Sequence, residues 1–270
     1  MKIGTFESVF PRDTLEATFS AVREAGFSAV QFDLGSAGID PWRDEIPEER
    51  LASIREAADG AHIEIPAVSG TFNMAHIDEV VRREGLVGFE RVVRAAPRLG
   101  ATMVTLCTGT RSLESMWKWH ADNSTPEAWE AMTSTVRSAL EIASAYGVTL
   151  VVEPEPANIA SSAVRARELL DEVSDEHLSI VLDPANIVLS DLSRPPIDVL
   201  RESFELLGSD IVFAHAKDVS AEGKFCAAGT GVVPWDYYWS ALGQIGYDGA
   251  VVFHTLTEAD VSRALATMPR

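Results

Sequence analysis

The chain has 270 residues, of which 46% are hydrophobic, and carries a formal net charge of −19 with a pI near 4.6. That apolar content excludes a disordered chain and is enough for one large α/β domain or two small ones. So acidic a surface repels phosphate backbones, which argues against nucleic-acid binding through a basic face.

Short apolar runs alternate with longer amphipathic stretches along the whole sequence. Lys2–Phe6 reads as a first strand, and Asp13–Gly26 as a helix with Leu15, Phe19, Val22 and Ala25 on one face and Gly26 as its stop. Ala29–Asp33 is a second strand, Pro47–Ala61 a second helix and Ile63–Ser69 a third strand. The next helix is expected over Ile77–Leu99, with Val80, Val81, Leu86, Phe89, Val92 and Val93 inward, before a strand over Ala101–Cys107. A long connection, Thr108–Ser124, follows, and then a helix over Thr125–Tyr146 opened by Pro126 and Glu127. Strands are predicted at Val148–Val152, Leu178–Leu182, Ile211–Ala216 and Ala250–Phe253. Their helices are Ser161–Val173, Ile197–Leu207, Pro234–Ile245 and Glu258–Met268. Eight strand–helix units with no linker predict a (β/α)8 TIM barrel, with residues 1–270 forming a single domain. The alternative, an open doubly wound sheet, would show a glycine-rich turn after its first strand, where the chain instead has Thr5-Phe6-Glu7-Ser8.

Two cysteines, Cys107 and Cys226, make no CxxC pair and no disulfide framework, which agrees with a reducing cytoplasm. No run approaches the roughly 18 apolar residues of a membrane span. The start of the sequence has no apolar core of a signal peptide, so a cytoplasmic protein is expected. A homo-oligomer is compatible with this composition.

Four of the strand patterns finish on a side chain that ligates metals: Glu153, Asp183, His215 and His254. In a TIM barrel these positions lie at the C-terminal rim, on four consecutive strands. Taken singly each has a plainer reading. Asp183, before Pro184, suits a helix cap. Either histidine suits a hydrogen-bonded core position, and Glu153 suits a solvated loop. Their recurrence, one per unit and each at a strand end, points instead to one divalent metal. Two carboxylates and two imidazoles suit Mn2+, Co2+, Fe2+ or Zn2+ better than Mg2+.

Strand alternation puts Lys217 on the side of His215, and Glu155 on the side of Glu153. Lys217 is then a candidate for stabilising a substrate oxyanion, or a rim lysine paired with a carboxylate. Glu155 is a candidate acid for the substrate, or a partner that supports the metal ligands. Asn186, a helical turn after Asp183, is either a hydroxyl ligand or a cap. The fourth connection carries Arg111, Trp117, Trp119, His120 and Asn123, the side chains that stack on sugar faces and bind hydroxyls; the Ser69–Met74 turn, with Asn73, has the same character. The Gly229-Thr-Gly231 turn is by itself a weak signal for phosphate.

The strand-end Glu153, Leu182-Asp183-Pro-Ala-Asn186, His215-Ala-Lys-Asp218, Gly229-Thr-Gly231 and Gly246-Tyr-Asp-Gly249 together resemble the sugar phosphate isomerase/epimerase family, the xylose isomerase-like barrels. That family includes tagatose-type ketose epimerases, inosose dehydratases and an AP endonuclease branch. The resemblance implies a sugar substrate, a divalent metal, with Mn2+ the first candidate here, and proton transfer through a metal-stabilised enediolate. It implies Glu153 as ligand and general base, with Asp183 and His215 as ligands. Two positions depart from the pattern: many family epimerases carry a second glutamate where this chain has His254, and a histidine where it has Asn186. The departures direct attention from two-carboxylate epimerisation to one-base isomerisation, or to dehydration of a keto-sugar or inosose by a lyase. A non-catalytic sugar-binding subunit and an AP-endonuclease-type nuclease are the remaining alternatives, the second opposed by the acidity.

Overall fold

Runs of valine, isoleucine, leucine and phenylalanine supply strands that are apolar on both faces, as a sheet covered by helices requires. The computed structural model describes residues 1–269. β1 (Lys2–Phe6) leads to α1 (Leu15–Glu24), β2 (Ala29–Phe32) to α2 (Glu48–Gly60), and β3 (Glu64–Ser69) to α3 (Glu79–Ala95). β4 (Met103–Leu106) leads to α4 (Pro126–Tyr146) and β5 (Thr149–Val152) to α5 (Ala163–Val173). β6 (Leu178–Leu182) is followed by two helices, α6 (Pro184–Leu189) and α7 (Pro196–Leu207). After β7 (Ile211–Ala216) comes a small hairpin of β8 (Asp218–Val219) and β9 (Phe225–Cys226), then α8 (Trp235–Gln244). β10 (Ala250–Phe253) and α9 (Val261–Leu265) end the series.

Eight of these strands close into a barrel in the order β1-β10-β7-β6-β5-β4-β3-β2, each neighbouring pair parallel. The chain is therefore a single-domain TIM barrel. Hydrophobic burial is split in two. A large core lies between strands and helices, and a small plug of Ala29, Ala67, Val151, Val181, Phe213 and Val252 fills the barrel interior. Side-chain oxygens of Thr14, Asp78, Thr125, Ser162 and Asp183 cap the first turns of α1, α3, α4, α5 and α6.

Two readings of the sequence are corrected, and one short helix is added. α3 stops at Ala95 and continues as a short 3-10 turn to Leu99. Its first turn faces solvent: Val80 and Val81 are exposed, while Phe89, Val92 and Val93 carry the buried face. The chain after Asp183 is helical at once, because Pro184 sits at the first helical position and Asp183 caps it.

Candidate metal centre and substrate cleft

Strand side chains alternate, so residues two apart point the same way. Above the interior Val151 stands Glu153, then Glu155. Above Val181 stands Asp183, above Phe213 stand His215 and Lys217, and above Val252 stands His254. The other half of the barrel repeats the pattern with neutral groups: Gln31 over Ala29, Ser69 over Ala67 and Thr105 over Met103. One step higher come Asp33, Thr71 and Cys107. These tiers, with Phe6 from β1, Trp117 from the β4–α4 connection and Phe225 from β9, line a cavity of about 480 Å3 at the C-terminal end of the strands.

Glu153, Asp183, His215 and His254 each offer one ligand atom, and these atoms lie within 4.8 Å of one another. Asp183 divides its oxygens between two tasks. Oδ1 accepts the amides of Ala185 (2.8 Å) and Asn186 (3.2 Å) at the start of α6. Oδ2 faces the site, 3.0 Å from His254 Nε2, 3.0 Å from Lys217 Nζ and 3.7 Å from His215 Nδ1. Cap and site residue, the two alternatives for this position, are thus separate atoms of one carboxylate. Glu153 Oε1 accepts from Asn186 Nδ2 at 2.8 Å and lies 3.3 Å from His215 Nδ1. Lys217 Nζ donates to Asn186 Oδ1 at 2.8 Å and lies over the Phe225 ring, 3.9 Å from its centre.

Gln31 sets the orientation of His215. Its Nε2 donates to Thr105 Oγ1 (2.9 Å) and Ser69 Oγ (3.1 Å), so its Oε1 faces His215 Nε2 at 2.8 Å. A carbonyl oxygen only accepts, so Nε2 carries the proton and a neutral His215 offers its Nδ1 lone pair to the carboxylates. Burial lowers the His215 value, but Glu153 and Asp183 outweigh burial and raise it to about 9. Burial also works against ionised Asp183, yet Lys217, His215 and His254 hold it well below the usual carboxylate range. Glu153 is likewise held low, its burial outweighed by His215. For His254 burial and the neighbouring cations lower the value to about 4, so its ring is neutral near pH 7. Burial, and then the charge of Glu153, raise Glu155 to about 7. Buried anions and cations concentrated in this way need either one another or a metal to offset their desolvation.

Other residues singled out in the sequence lie elsewhere. Asn73 bridges two loops: its Oδ1 accepts from the Thr110 amide (2.9 Å) and its Nδ2 donates to the Thr110 carbonyl (2.9 Å). Gly109 packs there at φ +79°, where a Cβ would stand 2.1 Å from Asn73 Oδ1. Arg111 donates to the carbonyls of Ala75 (3.2 Å) and Glu127 (2.7 Å), and His120 Nδ1 accepts the Asp122 amide at 3.2 Å. These three build the loop that carries Trp117, and none of them lines the cavity. Asp218 gathers the loop after β7, accepting the amides of Val219, Gly229 and Val233 and the Trp235 indole N–H. The Gly229-Thr-Gly231 turn therefore wraps a carboxylate of its own chain, and a Cβ on Gly231 would stand 2.2 Å from the Val219 carbonyl. Gln31, Thr105, Cys107 and Phe225 were missed by sequence reasoning. Two-residue alternation applied to the second and fourth strands contains the signal for the first three; Phe225 depends on a hairpin that has no such signal.

Residues 19–268 match the family model of the xylose isomerase-like TIM barrel. A ketose 3-epimerase of Arthrobacter globiformis is 27% identical over 277 positions, covering 99% of this chain and 88% of that protein. Among solved structures, a 3-keto-D-glucoside 4-epimerase from E. coli superposes with a TM-score of 0.78 at 17% identity over 98% of both chains. An IolI protein with a bound zinc atom superposes with a TM-score of 0.75 at 18% identity, over 99% of this chain and 96% of that one. At these identities the structural likenesses bear on the fold.

Proposed function

The chain belongs to the xylose isomerase-like TIM barrel family, and from its strand-end site we propose that it is a divalent-metal-dependent isomerase or epimerase of a sugar or sugar derivative. One observation carries the proposal: four ligand atoms within 4.8 Å of one another stand at the base of the cavity that Glu155, Lys217 and Trp117 also line. The ketose 3-epimerase relative and the zinc in the IolI structure support it. Glu153, Asp183, His215 and His254 would hold the metal, Mn2+ first among Mn2+, Co2+, Fe2+ and Zn2+. When bound, it would polarise neighbouring substrate oxygens as a Lewis acid.

The chain's own groups account for the proton transfers. Glu153, kept ionised and oriented by Asn186 and His215, takes the proton from the carbon next to the substrate carbonyl. Lys217, anchored by Asp183 and Asn186, stabilises the negative charge that develops on oxygen as the enediolate forms. Glu155, on the same wall and raised to about 7, returns a proton. Asn186 holds a hydroxyl beside its two partners, and Trp117 covers a sugar face. Asn73, Arg111 and His120 serve binding at one remove, by fixing the loop beneath Trp117. Delivery by Glu155 to the adjacent carbon gives isomerisation; epimerisation requires a proton from the opposite face, away from the wall of Glu153 and Glu155.

A second reading, a metal-dependent dehydratase or lyase acting on a keto-sugar, is favoured by one feature. The eighth barrel strand presents the imidazole of His254, with its value lowered to about 4, and so contributes no ionised carboxylate. Loss of a neighbouring hydroxyl then competes with reprotonation. The acidic surface opposes the nuclease alternative, and the intact ligand set opposes a purely sugar-binding role.

The test is a screen of keto- and aldo-sugars with metal-reconstituted protein in D2O, read by NMR. Deuterium is expected at a carbon next to the carbonyl in wild type and absent in Glu153→Gln. Product without deuterium, or exchange undiminished in the variant, would overturn Glu153 as base. The product separates isomerase, epimerase and lyase.

A further inference from the structure

The catalytic cavity does not end at Trp117. A second cavity, of about 570 Å3, adjoins it, and the two share Asp33, Ser69, Thr71 and Trp117 as walls. Beyond that shared wall the second lobe is built by the β2–α2 connection, with Gly38, Asp40, Pro41 and Trp42. Each lobe by itself falls within the ~300–1,000 Å3 usual for one small-molecule site. The catalytic lobe is therefore large enough for the reacting sugar ring, and the second lobe is room for something attached to that ring.

The walls state the chemistry of the attachment. Trp42 is 39% exposed and Trp117 56% exposed, both aromatic faces available for the C–H surface of a ring. Trp42 packs against Phe72, with ring centres 5.8 Å apart. Asp33 uses Oδ1 to cap its own turn through the Gly35 amide (2.7 Å), leaving Oδ2 as an acceptor for a hydroxyl. Among the described residues no lysine, arginine or histidine lines this lobe, and its only charged walls are the carboxylates of Asp33 and Asp40. In the catalytic lobe, the one lysine is already bound to Asp183 and Asn186. The glycine turn after β7 is closed around Asp218. A phosphate group placed in the second lobe would thus meet acidic walls and no cation among the described residues.

We infer that the substrate is a neutral glycoside: the reacting sugar occupies the catalytic lobe, and a second, uncharged hydroxylated ring occupies the lobe between Trp42 and Trp117. The inference rests on the sugar reading of the site, and it assigns the non-reacting half of the substrate and excludes a phosphate from that half.

Binding tests it separately from catalysis. Metal-loaded wild type and Glu153→Gln are titrated, by calorimetry and by tryptophan fluorescence, with neutral disaccharides and aryl glycosides, the matching monosaccharides, and their phosphate monoesters. At least one neutral two-ring compound is expected to bind ten-fold or more tightly than its monosaccharide, with the phosphate ester weaker than either. Trp42→Ala, and separately Asp33→Asn (which keeps the turn cap), should reduce that advantage at least three-fold. Equal binding of one-ring and two-ring compounds, absence of binding by every two-ring compound, or preference for a phosphate ester would overturn the inference. Because Glu153→Gln keeps the lobe, two-ring binding in it without any isotope exchange in wild type would remove the proposed reaction and leave the glycoside subsite standing.

Discussion

Gln31 shows how one neutral side chain governs a charged site. Its amide is fixed by Thr105 and Ser69, and its carbonyl fixes the proton of His215 on Nε2. Replacing it with leucine should leave the barrel folded but lower metal affinity roughly 10–100-fold, the usual cost of losing a partner that orients a ligand; competition titration against a chelating dye measures this. Undiminished affinity in Gln31→Leu would show that His215 is oriented by its other neighbours. Glu7 is the second residue with a distinct consequence. It is 1% exposed, its Oε2 has no hydrogen-bond partner, and burial raises it from 4.5 to about 7. The folded chain therefore keeps a proton that the unfolded chain has lost. The stabilisation from this group is fully present below about pH 4.5 and disappears as pH rises through about 7, a difference on the order of 3 kcal/mol. Urea unfolding of wild type and Glu7→Gln at pH 5 and pH 8 should show the variant gaining on wild type at the higher pH; a gap independent of pH would mean that Glu7 folds ionised.

Among the elements, the segment from β7 to α8 is organised by one buried carboxylate. Asp218 satisfies three amides and an indole N–H, and Gly231 is tight because its backbone passes between Asp218 and the Val219 carbonyl. Gly231→Ala should cost about 1–3 kcal/mol through forced displacement of that backbone, seen as a lower Tm. It should also disturb the β8–β9 hairpin and so the Phe225 ring over Lys217. Unchanged Tm would show that the loop relaxes freely. α4 provides a contrast: Thr125→Ala removes its cap and should cost about 1 kcal/mol while metal affinity stays as in wild type, because α4 supplies none of the four ligands. At the end of β10 the chain turns sharply through Thr255, at φ +57°. That conformation is unfavourable for a β-branched residue, and it follows His254 directly, so backbone strain is placed beside a site residue.

For the whole molecule, the barrel gathers two carboxylates and two imidazoles from four strands within reach of one ion. A divalent ion at about 100 times its Kd should stabilise the fold by about 2.7 kcal/mol. Thermal unfolding with and without a chelator should reveal this in wild type, and Asp183→Ala should abolish the difference; a Tm indifferent to metal would remove the metal from the proposal. The division between sequence and tertiary structure follows from the range of the forces involved. Alternation, caps and apolar runs are local, so the eight strand–helix units, the closed barrel and the strand-end Glu153, Asp183, His215 and His254 were legible in the order of residues. What lies across the barrel was not. That Gln31 meets His215 over 184 positions, that Lys217 turns to Asp183 and Asn186, and that Asn73 and Arg111 brace a loop rather than face the cleft depend on distances between segments that no local pattern encodes. The second lobe belongs to the same class. Trp42 and Trp117 stand on connections 75 positions apart in number, and only closure of the barrel brings their walls around one space.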